Sequence, residues 1–319
     1  MKDAYSKFII KPVIELYINT LSDYLYATYG EKLYRISLDG GMTCPNRDGK
    51  CGDKGCIFCT EKGSGEFTPN KLMSLDKQIE AGKALVEHKT KATKFIAYFQ
   101  AFSNTYAPIE YLRSLYFEII NRTDIAILSI ATRPDCIDDE VLNLLKELNK
   151  IKPVWVELGL QTSNEKTAEF IRRGYKNVVY EEAVVRLRAA GCKVITHVIL
   201  GLPYETKENM INTARYAGSF SDGIKFHMLY IAKNTDIAKL YSANEFELLS
   251  REEYIDVLCE CIRVIPKETV IHRLTGDGDK STLISPLWTL NKKKVLREIN
   301  NAFTDRDIQQ GEYIHMYIK

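Results

Sequence analysis

The sequence contains no long apolar segment, no strong net charge and no pattern typical of a secretory signal. No apolar run in its 319 residues approaches the roughly 20 residues that a helix needs to cross a bilayer. The N-terminal stretch MKDAYSKFIIKPVIELY has neither the apolar core nor the cleavage site of a secretory signal. The net charge of +2 predicts no general affinity for polyanions or membrane surfaces, although a local basic face can still bind nucleic acid. We therefore expect a cytoplasmic protein with no membrane partner.

Cysteine, in contrast, is plentiful, with eight residues. In a reducing compartment cysteines are more often metal ligands or core residues than disulfides. The run GGMTCPNRDGKCGDKGCIFCTEKGSGEF contains Cys44, Cys51, Cys56 and Cys59. A Cys-x2-Cys pair plus one earlier cysteine supplies three thiolates, and an iron–sulfur cluster with three protein ligands keeps one iron open. The alternative is a zinc loop with Cys51 as fourth ligand, although closed zinc sites usually pair their cysteines in two knuckles.

Apolar, β-rich runs alternate with segments of helical periodicity. The runs lie at 34–38, 94–100, 125–132, 153–161, 193–203 and 223–231. Strands that alternate with helices predict βαβ units and a parallel sheet, closed into a barrel or part of one. Chemistry gathers at the C-terminal strand ends of such a barrel. The cysteine loop follows the first strand, so we expect it there.

The alternation divides the chain into three parts. A helical N-terminal extension is predicted over 1–33, the β/α region over 34–235 and a C-terminal extension over 236–319. Beyond residue 236 the β/α alternation stops, and helices are predicted around the loop RLTGDGDKST. No low-complexity linker precedes this tail. We therefore expect it to dock on the barrel.

The cysteine run resembles the signature of the radical S-adenosylmethionine (SAM) enzymes, in the group related to the Elongator catalytic subunit and the oxygen-independent coproporphyrinogen oxidases. It is most similar to a small bacterial subfamily that includes the MnmL-type tRNA wobble-uridine enzymes. The pattern GGxxCPNRDG, GCxFC and GSG is matched at 40–49, 55–59 and 63–65. The resemblance implies a partial (β/α)6-type TIM barrel that binds a [4Fe-4S] cluster and SAM. It also implies that Cys44, Cys56 and Cys59 are the cluster ligands and that Cys51 is not.

The same resemblance implies residues that contact SAM. Phe58 matches an aromatic position beside the adenine, and plain core packing is its alternative role. The segment HVILGLP, with Leu200, matches the backbone that lies along the adenine. Gln161 matches a residue that binds the ribose, and Arg173 one that pairs with the SAM carboxylate.

Four further positions depart from the pattern of the relatives. Gln100 and Asn104 occupy a turn that is glycine-rich in many of them, and their oxygens can accept hydrogen bonds from the SAM ammonium. Arg133 replaces an acidic residue of the coproporphyrinogen oxidases and can fork onto a carboxylate, or form a structural ion pair with Asp135. His197 stands where some relatives carry an acidic ribose ligand, and a structural histidine is its alternative reading.

Other polar residues are predicted at the barrel mouth without a defined role. Glu157 faces inward if Gln161 does, because strand side chains alternate with period two. A buried carboxylate needs a partner, so Glu157 is either functional or structurally paired. His227 either lines the substrate side or belongs to the core. Cys136 reads as a buried apolar residue that can alternatively donate hydrogen in radical chemistry.

The substrate is expected to be recognised by the C-terminal extension. Its basic and aromatic residues are Arg273, Lys280, Trp288, Lys292, Lys293, Lys294 and Arg297. Such a set can bind phosphates and stack a base, or it can be a solvated helix face with a core tryptophan. The resemblance favours tRNA, since MnmL-type enzymes remove the carboxymethyl group from 5-carboxymethylaminomethyl-(2-thio)uridine. It also implies a one-electron reductant such as flavodoxin or ferredoxin.

Two alternatives to this function remain at the level of the sequence. One is radical chemistry on another tRNA base or on a small molecule. The other is a metal-stabilised RNA- or protein-binding module without catalysis.

Overall fold

In the computed structural model the described residues are 18–63, 65–66, 68–89, 92–276 and 278–314. Residues 1–17 of the predicted N-terminal extension lie outside them. The described part of this extension contains helix α1, Leu21–Tyr29. The Thr20 side chain accepts a hydrogen bond from the Asp23 amide and so caps the first turn. No helix in these ranges is long and apolar enough to span a membrane.

The centre of the molecule is a parallel sheet. The strands of the chain are β1 Tyr34–Leu38, β2 Phe95–Phe99, β3 Ile125–Thr132, β4 Val154–Gln161, β5 Lys193–Leu200, β6 Gly223–Met228, β7 Ile231–Ala232, β8 Val270–Arg273 and β9 Leu283–Ser285. Seven of them form one sheet in the order β1-β2-β3-β4-β5-β6-β8, and β7 pairs with β9. Each neighbouring pair in the large sheet is parallel, which makes it a partial TIM barrel and confirms the predicted fold class.

The sheet has one more strand than the sequence analysis predicts. β8 pairs with β6 and lies within the predicted C-terminal extension. The β/α alternation therefore continues past residue 236, and this strand belongs to the barrel.

Helices connect the strands on the outer face of the sheet. They are α2 Leu75–Val86, α3 Ile109–Ile120, α4 Asp139–Asn149, α5 Glu165–Phe170, α6 Asn177–Ala189, α7 Lys207–Phe220, α8 Asp236–Ser242, α9 Arg251–Arg263 and α10 Lys292–Asp305. In α4 the buried residues Val141, Leu144, Leu145 and Leu148 recur at intervals of one helical turn. Burying each leucine contributes about 1.5–3 kcal/mol. Apolar packing thus occupies the outer face, and functional side chains are left to the inner face and the strand ends.

A small apolar cluster closes the N-terminal ends of the strands. It consists of Leu25, Leu33, Ile96, Ile127, Trp155 and Ile195. Each of these side chains is buried. We call this cluster the plug. Because the plug fills one end of the barrel, access to the interior is at the other end, where parallel barrels carry their active sites.

Candidate active site

A cavity opens at the C-terminal strand ends, between the cysteine loop and the inner face of the sheet. The predicted site residues that line it are Cys44, Cys56, Phe58, Cys59, Gln100, Arg133, Gln161, Arg173 and His197. Asn104 and Leu200 do not line it. The structure therefore brings most of the predicted residues together around one space.

Local hydrogen bonds shape the cysteine loop. The Arg47 amide donates to Cys44 O at 2.9 Å, and the Cys59 amide donates to Cys56 O at 3.0 Å. Asn46 Nδ2 donates to Arg172 O at 2.6 Å, which ties the loop to the end of α5. These hydrogen bonds fix the shape of the loop.

Three of the four cysteines in the loop line the cavity. Cys51 is exposed, and its Sγ lies 3.9 Å from Asp135 Oδ2, outside the lining. Cys136 is buried beside the same carboxylate, with 3.9 Å between its Sγ and Asp135 Oδ1. The arrangement of the loop thus separates Cys51 from Cys44, Cys56 and Cys59.

The chemistry of these three thiols fits an iron–sulfur cluster. Burial raises the pKa of Cys56 to about 12, with Cys59 and Cys44 contributing in the same direction. A raised pKa means that the thiolate form is costly at this position. Cys56 therefore becomes a thiolate only when a metal compensates its negative charge. Within the described ranges, no three His, Cys, Asp or Glu side chains surround the position of a single metal ion. The cysteines of a four-iron cluster each bind a different iron, so they are spaced more widely than the ligands of one ion.

Arg133 forms a structural ion pair with Asp135, which is the alternative role that the sequence analysis gives it. Its Nε and Nη2 donate to the two oxygens of Asp135 at 2.9 and 2.7 Å. Its Nη1 donates to Arg173 O at 2.8 Å. Arg133 also lines the cavity, so its guanidinium lies on the same wall as the cysteines while Asp135 balances its charge.

Arg173 is held rigidly by protein acceptors. It is 1% exposed. Its Nη1 donates to Leu160 O and Thr162 O at 3.1 and 2.8 Å, and its Nε donates to Tyr175 O at 2.9 Å. Its Nη2 donates to Asn177 Oδ1 at 3.0 Å. These bonds fasten the loop after β4, and the predicted role of Arg173 toward the SAM carboxylate stays a prediction.

Gln161 ends β4 in a left-handed backbone conformation. Its φ is +61°, a value that few residues other than glycine adopt. The register to β5 shifts between Gly159 and Gln161. A Cβ atom at position 159 would lie 2.5 Å from Gln161 Nε2, so a larger residue there would displace the Gln161 side chain. Strained backbone of this kind is common at binding sites, where it aims a side chain.

The remaining predicted contacts divide between the cavity and its surroundings. Phe58 lines the cavity and packs against an apolar cluster that includes Ile57. Gln100 lines it too and donates to Ser37 Oγ at 3.1 Å. Asn104 is fully buried behind the wall, where its amide donates to Ala131 O at 2.9 Å. Leu200 is buried in the main apolar core, because strand alternation directs His197 inward and Leu200 outward.

A buried polar network surrounds Glu157, which is 1% exposed. Glu157 Oε1 accepts hydrogen bonds from Arg35 and, at 2.8 Å, from Ser129 Oγ. Glu157 Oε2 lies 2.7 Å from both His197 Nε2 and Lys225 Nζ. The network therefore joins β1, β3, β4, β5 and β6 on the inner face of the barrel.

The charges in this network follow from burial and proximity. Arg35 and Lys225 hold the pKa of Glu157 well below its usual range, although burial acts in the opposite direction. Burial lowers the pKa of Lys225 to about 7 and that of His197 to about 4. At neutral pH His197 is thus a neutral ring whose Nε2–H donates to an ionised Glu157.

The sequence analysis identifies Glu157 and His197 but misses the other residues of this network. Tyr98, whose hydroxyl accepts from Lys225 Nζ at 3.1 Å, and His272, whose Nδ1 lies 2.9 Å from Arg35 Nη2, extend the network to β2 and β8. The available signal was a polar residue inside each apolar strand. An alternation of this kind indicates an inner face that is not a plain hydrophobic core.

Comparison with known proteins shows the family. The radical SAM superfamily profile matches residues 47–217, and the radical SAM C-terminal domain profile matches residues 221–305. The chain belongs to the radical SAM superfamily. Members of this superfamily are enzymes that use a [4Fe-4S] cluster and SAM, and the predicted class and cofactors are confirmed.

The relatives of this radical SAM enzyme include Elongator-like proteins. Over 296 residues the chain is 42% identical to the uncharacterized protein YtqA of Bacillus subtilis, with 92% of each chain covered. It is 26% identical over 183 residues to a tRNA uridine(34) acetyltransferase of Methanocaldococcus jannaschii, covering 56% of this chain and 32% of that protein. The structure of Methanocaldococcus infernus Elp3 matches with a TM-score of 0.64 at 15% identity, over 87% of this chain and 64% of that one. This last match shows a shared fold.

Proposed function

We propose that this radical SAM enzyme modifies the wobble uridine of tRNA, converting 5-carboxymethylaminomethyl-(2-thio)uridine to 5-aminomethyl-(2-thio)uridine. The observation that carries the proposal is the similarity to a protein named as a tRNA uridine(34) acetyltransferase. That relative acts on the same nucleotide by its name, and the matched region of this chain belongs to the radical SAM superfamily. Membership of an enzyme superfamily also argues against the non-catalytic alternative.

In this proposal Cys44, Cys56 and Cys59 hold the cluster. When bound, the cluster and SAM supply a 5′-deoxyadenosyl radical for hydrogen abstraction. The proposed side-chain contacts of SAM are Phe58, Gln100, Arg133, Gln161, Arg173 and His197, which line the same cavity. Asn104 and Leu200 lie behind the wall and shape it. The plug at the far end of the barrel excludes water from the interior, which protects a reactive species.

Helix α10 offers a surface for the tRNA phosphates. Lys292, Lys293, Lys294 and Arg297 are exposed, and the first turn of the helix carries no acidic residue. Cations at a helix N-terminus lie beside the positive end of the helix dipole and are repelled by it. A bound phosphate group would compensate both positive charges.

Trp288 contributes packing and not a stacking platform for a base. Its ring packs on the main core, 5.7 Å from the ring of Tyr254 between centroids. Trp288 is half-buried, and its packing supports the core tryptophan of the two roles left open for the tail. The electrostatic contribution of α10 to tRNA binding does not depend on this ring.

The proposed reaction also needs an electron donor. The enzyme needs one electron for each SAM cleavage, and a flavodoxin or ferredoxin of the cytoplasm is the proposed donor. Another tRNA base or a small molecule remains the alternative substrate. Mass spectrometry of tRNA nucleosides distinguishes these substrates from the wobble uridine.

Mass spectrometry of tRNA nucleosides tests the substrate. In a strain that lacks the gene we expect the carboxymethylaminomethyl nucleoside to accumulate and the aminomethyl nucleoside and its derivatives to disappear. Complementation with the wild type or Cys51→Ser restores the product, whereas Cys56→Ser does not. An unchanged nucleoside profile in the deletion strain contradicts the proposed substrate.

A further inference from the structure

The loop after β1 surrounds its cysteines with polar side chains that have no role in the reaction described so far. Asn46 and Arg47 lie between Cys44 and Cys56 in the sequence. Asn46 is 4% exposed, and Arg47 lines the cavity together with the three cysteines. Both side chains therefore belong to the immediate surroundings of the proposed cluster.

Asn46 donates a hydrogen bond to one of the proposed ligands. Its Nδ2 lies 3.6 Å from Cys56 Sγ and 2.6 Å from Arg172 O. An amide nitrogen carries two hydrogens, so both bonds form at once. The bond to Arg172 fixes the orientation of the amide, and the second N–H is left for the sulfur.

Arg47 brings a positive charge to a second ligand. Its Nη2 donates to Cys59 O and Thr60 O at 3.0 and 2.6 Å, and its guanidinium lies over the ring of Phe102, 5.6 Å from the ring centre. None of these three partners is negatively charged, so they do not cancel the charge of the guanidinium. A Cβ atom at Gly55 would lie 2.9 Å from Arg47 Nε, so the glycine leaves room for this side chain beside the cysteines.

Glu66 places the opposite charge on the same wall. It lines the cavity and accepts a hydrogen bond from Thr60 Oγ1, while Thr60 O accepts from Arg47. Burial raises the pKa of Cys59, the charge of Arg47 opposes that rise, and Glu66 adds to it. The two charged side chains thus act on the same sulfur in opposite directions.

We propose that Asn46 and Arg47 raise the reduction potential of the cluster and that Glu66 lowers it. This inference rests on the proposed function, in which the three cysteines of the cavity wall hold the cluster. Reduction moves one electron from the external donor to the cluster and makes its charge more negative by one, while no bond to the protein forms or breaks. A cation or an N–H group beside a ligand sulfur stabilises the more negative state, and a carboxylate destabilises it.

The opposing charges affect the two electron transfers differently. A higher potential makes it easier for a flavodoxin or ferredoxin to reduce the cluster. A lower potential gives the electron a larger driving force toward SAM. Charges of both signs beside Cys59 therefore set an intermediate potential that permits both transfers.

An anaerobic redox titration followed by electron paramagnetic resonance tests the inference on the reconstituted enzyme without SAM. The reduced cluster is paramagnetic, so the signal reports the midpoint potential and does not depend on activity. In Arg47→Gln the ratio of reduced to oxidised cluster at a fixed solution potential should fall about tenfold, as for the loss of one hydrogen bond to a charged group. For one electron this corresponds to a shift of about 59 mV toward more negative values.

Two further variants test the other side chains. Asn46→Asp replaces the N–H donor by a carboxylate of nearly the same shape, so it should also shift the midpoint to more negative values. Glu66→Gln removes the negative charge and keeps an oxygen that accepts from Thr60, so it should shift the midpoint to more positive values. A loop that is merely disturbed would not produce shifts of opposite sign in these two variants.

Lys50→Gln is the matched control. Lys50 is an exposed lysine of the same loop that lies over the ring of Tyr106, outside the cavity lining. Water and salt screen its charge, so the variant should keep the wild-type midpoint. Arg47→Lys keeps the charge but not the planar fork of donors, so its midpoint should lie between those of the wild type and Arg47→Gln.

Iron and sulfide analysis of each protein separates the outcomes. If Arg47→Gln and Asn46→Asp contain the cluster and keep the wild-type midpoint, the inference is wrong. If both lose iron, Glu66→Gln decides, and an unchanged or more negative midpoint overturns the inference. A wild type that assembles no cluster contradicts the proposed function, whereas a wild type that holds the cluster beside unshifted variants contradicts the inference alone.

Discussion

Replacing Cys44, Cys56 or Cys59 by serine is expected to abolish iron binding and SAM cleavage together, whereas Cys51→Ser retains both. The three cysteines line the cavity, and Cys51 is exposed beside Asp135 outside it. A serine hydroxyl is a poor replacement for a thiolate on iron, because soft sulfur ligands hold the cluster. Loss of one ligand from a site with three leaves too few to retain it.

Anaerobic reconstitution measures this result. The wild type and Cys51→Ser should contain about 4 Fe with matching sulfide and release 5′-deoxyadenosine when reduced with dithionite. Cys136→Ser is a further control, since this buried thiol lies outside the lining and should also retain the cluster. Equal iron loss in Cys51→Ser would mean that the loop uses four ligands.

Glu157→Gln is expected to destabilise the fold by about 3–5 kcal/mol, the cost of leaving a buried charge without its partner. The variant neutralises the carboxylate that Arg35, His197 and Lys225 share. Urea unfolding followed by circular dichroism measures the free energy. Glu147→Gln is the matched control, because Glu147 forms an exposed pair with Arg113 and should change stability by less than about 1 kcal/mol.

The pH dependence of stability gives a second measurement of the same carboxylate. The pKa of Glu157 is depressed in the folded protein, mainly by Arg35 and Lys225. Its contribution to stability is therefore present above the unfolded pKa of about 4.3 and is lost as the pH falls through the folded value. Below about pH 4 the wild type should lose stability more steeply than Glu157→Gln. Parallel curves for the two proteins would show that Glu157 is not ionised in the fold.

Much of the fold could be predicted from the sequence, because its strands and helices have strong local patterns. The predicted strand at 125–132 coincides with β3. Helix α4 begins at Asp139, directly after its N-cap residue Asp138. β8 was missed because Val270–Arg273 has four residues, of which His272 and Arg273 are polar. So short a strand is recognised only from its pairing with β6, which is a tertiary contact.

The candidate site was predictable where its residues are close in sequence. The resemblance to the radical SAM signature separates Cys44, Cys56 and Cys59 from Cys51, and of these four cysteines the structure places the same three on the cavity wall. The Glu157 network was not predictable in detail, because Arg35 and Glu157 are 122 positions apart. Pairs of this kind depend on strand register, which no local pattern specifies.

The large sheet has seven strands and six hydrogen-bonded ladders, so β1 and β8 are its two ends. Inside the barrel, Arg35 of β1 and His272 of β8 reach across this gap to each other, 2.9 Å apart. Side-chain contacts separate at far smaller cost than a backbone ladder, since a single hydrogen bond contributes about 1 kcal/mol net. The edge of β8 is also held by the segment before α1, because the Ile271 amide donates to Asn19 O at 2.7 Å. In the described part of the chain, the gap between the two edge strands is therefore closed by a side-chain contact and by the segment before α1, and not by a seventh ladder.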